Sequence, residues 1–119
     1  MKGPVHQEIS QQTEEILRYI EEHLNEPITL KTLSEQFFFS SYYFHRVFKR
    51  AAGKSLAVYV RERRVSLACR LLSETNASAA EIGMQCGFQT PQSFTRTFKR
   101  MTGLTPSEYR KSIQSHDIT

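Results

Sequence analysis

Arg46 and Arg96 stand fifty residues apart, and the side chains around them repeat at the same interval. Phe44, Phe48, Lys49, Arg50, Gly53, Ser55 and Tyr59 are matched by Phe94, Phe98, Lys99, Arg100, Gly103, Thr105 and Tyr109. Phe at i and i+4 can anchor a helix on a core, which holds the cationic neighbours on the outer face. Guanidinium and ammonium groups fixed this way suit the recognition of an anionic partner. Covalent chemistry has no comparable foothold. No Ser stands with a plausible His and Asp, and no paired carboxylates or phosphate loop occur. None of His6, His23, His45 or His116 has Asp, Glu or Cys at a metal-ligand spacing. The expectation is a binding protein without enzymatic activity, cofactor or metal.

Charge points the same way. The chain of 119 residues carries a formal charge of +4, but the balance is uneven. Up to Glu35, three Lys or Arg face seven Glu; from Gln36 onward, thirteen basic residues face five acidic ones. The basic excess thus falls on the repeated segments and the stretch between them, the footprint of a nucleic-acid binder, although a solvated basic surface has the same composition. With 39% hydrophobic residues the chain can form a core, or two small ones sharing a spine. No apolar run approaches the roughly 18 residues of a membrane span, and the start lacks the apolar middle of a signal peptide. Cys69 and Cys86 lie among apolar neighbours and read as reduced, structural thiols.

The elements that must position the repeated cations are all helical. Ile9, Thr13, Ile16, Leu17, Ile20 and Leu24 form one face of a helix running from about Glu8 to Leu24, stopped by Asn25-Glu26-Pro27. Thr29 caps a short helix burying Leu30 and Leu33, and Ser40 or Ser41 caps a third, which points Phe44, Val47 and Phe48 inward and stops at Gly53. A long helix over 55–73 buries Leu56, Val60, Ala68, Leu71 and Leu72. At 1.5 Å per residue it spans about 28 Å. Ser78 to Glu81 reads as a capping box opening a short helix with Ile82. Thr90-Pro91 opens the next, with Phe94 and Phe98 inside, and Thr105-Pro106-Ser107-Glu108 opens the last, through about Ile113. The prediction is an all-α fold of seven helices, in which two helix-turn-helix units (about 29–53 and 78–103) are joined by a central helix. The folded part covers 8–113, and 1–7 and 114–119 are expected to be flexible ends.

A short helix, a tight turn and a second helix with a basic, polar outer face is the arrangement that reads the major groove of DNA. Aligning Leu33 with Ile82 and Phe37 with Cys86 needs an offset of forty-nine, so the second turn is one residue longer than the first. The run Ile82, Gly87-Phe88, Phe94, Arg96, Phe98-Lys99-Arg100, Gly103, Thr105-Pro106 and Tyr109-Arg110 resembles the signature of AraC/XylS-type transcription regulators. The resemblance covers about residues 16–110. It implies a DNA-binding domain that places two recognition helices in successive major grooves, which lie roughly 34 Å apart.

Carried over by position, the resemblance implies base contacts from Ser41, Tyr42, His45 and Arg46 of the first unit and from Pro91, Gln92, Ser93, Thr95 and Arg96 of the second. Arg46 and Arg96 suit guanine O6 and N7, and Gln92 suits adenine. Lys49, Arg50, Lys99 and Arg100 are expected on phosphates. Arg61, Arg63, Arg64 and Arg70 of the central helix could also form a phosphate stripe, with Arg64 expected to pair inward with a carboxylate. Because the helices differ, the expected site is asymmetric double-stranded DNA with two boxes. By the same resemblance the protein acts in the bacterial cytoplasm, at the nucleoid, as an activator that recruits RNA polymerase. A separate effector-binding domain is common in the family, so the chain is either a small single-domain member or a piece whose sensor is missing. The alternative is an all-helical protein-interaction module whose basic face is merely solvated. Two departures stand out: Phe38 occupies a turn position where the family often has Gly, and Gly83 stands where a small Ala is usual. Phe38 therefore implies either a differently shaped first turn or a surface ring for a partner. Gly83 is expected to preserve packing at a helix-propensity cost of ~1 kcal/mol.

Overall fold

The computed structural model describes residues 3–118, with side chains at 11–114; Met1, Lys2 and Thr119 lie outside the described residues, as does the side chain of Ile9. Among the described residues there are seven helices and no strand: α1 Gly3–Glu22, α2 Leu30–Gln36, α3 Ser41–Ala52, α4 Leu56–Glu74, α5 Ala79–Gln85, α6 Pro91–Thr102 and α7 Pro106–Ile118. The outer helices reach further toward the ends of the chain than expected, although α1 stops at Glu22 rather than Leu24. α1 begins at Gly3, since Pro4 falls in its first turn where a missing N–H costs nothing. α7 continues past Ile113 because no Gly or Pro follows Pro106 to stop it.

The other boundaries follow the caps written in the sequence. The Thr29 hydroxyl accepts from the N–H of Thr32, and the Thr32 hydroxyl in turn accepts from the N–H of Thr29. Ser40, Ser78 and Thr90 accept from the backbone N–H groups of Tyr43, Glu81 and Ser93. At the start of α7 the capping box is complete: Thr105 N–H donates to Glu108 Oε1 at 2.8 Å, and Glu108 N–H to Thr105 Oγ1 at 3.1 Å. α3 and α6 both end on a left-handed glycine, Gly53 (φ 79°) and Gly103 (φ 85°).

The chain divides within α4 into two compact units, Met1–Arg61 and Glu62–Thr119, each with its own core. In the first unit Ile16, Ile20, Leu24, Leu33, Phe44, Phe48, Leu56 and Val60 are buried. In the second the cluster is Val65, Ala68, Leu72, Ile82, Cys86, Phe88, Phe94 and Phe98. Val65, rather than the half-buried Leu71, is on the inner face of α4, and Val47 of α3 is only half-buried. The fifty-residue repeat reappears as two aromatic ladders. Rings pass from Phe39 to Phe44 (6.2 Å), to Phe48 (6.1 Å) and to Tyr59 (5.5 Å). Phe88, Phe94, Phe98 and Tyr109 follow at 5.1, 5.7 and 5.5 Å.

The two turns are built alike and filled differently. Phe38 N–H donates to Glu35 O and Phe39 N–H to Ser34 O; forty-nine residues on, Gly87 N–H donates to Met84 O and Phe88 N–H to Gly83 O. Both are Schellman closures, whose residue after the helix cap must be left-handed. Gly87 takes φ 97° without strain, whereas Phe38 is held at φ 63° with its ring 94% exposed. The first turn is therefore not reshaped to suit Phe38; the residue is strained into the common geometry, at about 1–2 kcal/mol. The packing expected at Gly83 is kept, and the structure adds its reason. A Cβ there would lie 2.7 Å from Cδ2 of the buried Phe94 ring, so the glycine is a packing requirement and not only a propensity cost.

Candidate nucleic-acid interface

α3 and α6 are twelve-residue helices fixed at three points: a hydroxyl cap at the start, a Phe pair in the core and a left-handed Gly at the end. A helix pinned in this way cannot roll, and what its outer face presents is set by the 3.6-residue period. On α3 that face presents Ser41, Tyr42, Arg46, Lys49 and Arg50, all exposed, with His45 half-buried at its border. On α6 it presents Pro91, Gln92, Thr95, Arg96, Lys99 and Arg100, with Ser93 half-buried. Every residue expected to touch DNA is thus on the surface of its unit. No contact among them is made to a carboxylate in either helix, so the outer faces of α3 and α6 are uniformly cationic or neutral.

Within the first unit two of these side chains have partners on their own unit. The Arg46 guanidinium carbon lies 5.7 Å from the centroid of the Tyr42 ring, one turn back on α3. Ser41 Oγ and Ser34 Oγ share a hydrogen bond at 3.1 Å, and Ser34, which is buried, also donates to Lys31 O. Ser41 is therefore tied inward, toward the turn. The second unit has Gly83 and Pro91 at those places and no such tie. Along α3, Tyr43, Arg46, Val47, Arg50 and Ala51 line an open cleft of about 370 Å³. Tyr43 was missed by the sequence reading, because the period alone cannot tell a wide outer face from a core border.

Lys49, Arg50, Lys99 and Arg100 sit in the last turns of their helices, where a cation also complements the helix dipole. Their placement has a structural reason beside any contact with phosphate. In α4, Arg61 and Arg70 are exposed, and Arg70 lies 3.8 Å from Glu74. Arg63 and Arg64 are half-buried, and burial lowers the Arg64 pKa from its ordinary value beside the Cys86 thiol. Burial pushes Cys86 itself up to about 11, which leaves it an unreactive thiol at neutral pH. Among the described residues no group of three or more His, Cys, Asp and Glu could hold a metal ion, and no helix is long and apolar enough to cross a membrane.

Arg110 has a role that the sequence did not signal. Its Nε donates to Leu72 O and its Nη2 to Thr75 O, both at 3.1 Å, closing the C-terminal end of α4 from α7. These partners are 35 and 38 residues away, beyond the reach of any local pattern.

Comparison with known proteins adds four findings. A family model described as a helix-turn-helix domain matches residues 33–112. The regulatory protein SoxS of Escherichia coli is 32% identical over 108 residues, covering 91% of this chain and 98% of SoxS. The multiple antibiotic resistance protein MarA of Salmonella typhimurium is 35% identical over 95 residues, covering 80% of this chain and 75% of MarA. Among solved structures, the DNA-binding domain of the global transcriptional factor AdpA, in complex with a target DNA, aligns with a TM-score of 0.84 at 29% identity, covering 87% of this chain and 94% of that one.

Proposed function

Because this chain belongs to the AraC/XylS-type helix-turn-helix transcription regulators, we propose that it binds an asymmetric double-stranded site, inserting α3 and α6 into successive major grooves. The observation that carries this reading is the pair of pinned helices whose outward faces offer Arg46 and Arg96 at matched positions. Each guanidinium can bond guanine O6 and N7 bidentately. Gln92 is suited to adenine, and Ser41, Tyr42, His45, Pro91, Ser93 and Thr95 complete the two reading faces. Lys49, Arg50, Lys99 and Arg100 supply phosphate contacts, which add affinity without reading sequence. The reading assigns no catalytic step and no cofactor. It places the protein at bacterial DNA in the cytoplasm as an activator working through RNA polymerase, a role that rests on family membership.

Selection of bound duplexes from a random library tests the proposal. The expected winner has two unlike boxes about one helical turn apart and binds ~10³-fold or more above scrambled DNA. Equal binding to all duplexes with a steep salt slope would sink it. A second reading, an interaction module for protein, draws on the strained and almost fully exposed Phe38. Reversing Arg46 and Arg96 to Glu separates the two, since only a DNA reader loses its partner.

A further inference from the structure

Tyr42 is 73% exposed, so burial does not explain its aromatic ring on the outer face of α3. What the ring does touch is Arg46, whose guanidinium carbon stands 5.7 Å from its centroid, within the range of a cation–π contact. The contact is compatible with base reading. A ring engages the flat face of a guanidinium, while hydrogen bonds to guanine leave from its edge. An exposed Arg otherwise has many rotamers to lose on binding. At the matching place in α6, four residues before Arg96, the chain has Gln92, which offers an amide and no π face.

We infer that Tyr42 is a positioning residue that pre-orders Arg46 for the first DNA box, whereas Arg96 reads the second box without such a hold. The inference rests on the DNA-binding reading above. The phenol hydroxyl takes no part in it; the ring does. The first box should then be read by a stiffer arginine than the second.

The experiment measures affinity for the selected duplex and for single base-pair changes in each box. Tyr42→Phe, which keeps the ring over Arg46, should retain clearly more affinity than Tyr42→Ala. Tyr42→Ala and Tyr42→Gln should each lose about two- to fivefold, and the loss should be confined to discrimination at one G·C pair of the first box. In an Arg46→Ala background Tyr42→Ala should cost nothing further, and Gln92→Tyr should sharpen discrimination in the second box. If Tyr42→Phe binds as poorly as Tyr42→Ala, the hydroxyl contacts DNA directly and the inference is overturned. Full persistence of the Tyr42→Ala loss without Arg46, or no loss at all, overturns it too. NMR of the free protein supplies a readout without DNA. The Arg46 side-chain protons should show an upfield ring-current shift in wild type and Tyr42→Phe that vanishes in Tyr42→Ala. Its absence overturns the hold whatever the DNA result, while a wild type that shows the shift but selects no duplex overturns the regulator reading itself.

Discussion

Gly83 and Cys86 lie one turn apart along the α5 segment, and each makes a prediction that composition could not. The absent Cβ of Gly83 is the room that Phe94 fills, so Gly83→Ala must push a buried ring out of place. Helix propensity alone would make the change a gain of ~1 kcal/mol. Overpacking opposes it at about 1–3 kcal/mol, and we expect a net loss of stability, seen as a lower urea midpoint with an unchanged m value. Cys86 is a matter of pH. Its folded pKa is raised from 9.0 to about 11 by burial, so the folded state favours the protonated thiol. That contribution is whole below pH 9, and it is lost as pH rises through about 11. Unfolding titrations from pH 8 to 11 should show a steeper decline for wild type than for Cys86→Ala; parallel curves would refute the assignment. At this scale the sequence was least informative. It offered Gly83 as a propensity cost that preserves packing and left Phe38 between a reshaped turn and a surface ring; the reason for the first lies in a ring eleven residues on, and the second is set by the backbone bonds that close the turn.

At the scale of elements the reading was much better, and for a physical reason. Thr29, Ser40, Thr90, Thr105, Gly53 and Gly103 each satisfy or terminate a helix end through bonds to residues within four positions, so the boundaries of α2, α3, α6 and the start of α7 are written locally. The start of α1 was set too late because Pro4, which suits a first helical turn, was not used as a start signal, and the end of α7 too early because no Gly or Pro marks it. The bond from α7 to the end of α4 was invisible for the opposite reason, being long-range. Arg110→Ala should remove one part-buried hydrogen bond, to Leu72 O, and one exposed one, to Thr75 O, and cost about 1–2 kcal/mol. Amide exchange should quicken in the last turn of α4 and the first of α5 while α2 and α3 keep their protection. Arg110→Lys should not restore it, since a single ammonium lacks the fork that reaches Leu72 and Thr75 separately.

For the whole molecule, the repeat fixed in advance where the basic faces lie, and the structure returned all of the expected contact residues to the outer face of α3 or α6, wholly or partly exposed. What those residues read is a matter for binding experiments, and the phosphate share can be separated from the base share by salt. Lys49→Ala and Lys99→Ala should each lower the slope of log affinity against log salt by about 0.9 and leave the preferred sequence unchanged. A changed preference with an unchanged slope would mean that the lysines read bases. The paired turns carry a further lesson. Phe38 and Gly87 share torsion sign and hydrogen bonds but nothing of their side chains. What the two units hold in common at this point is a backbone circuit and not a side chain, so a search keyed to torsion angles would pair these turns where one keyed to residues would pass them by.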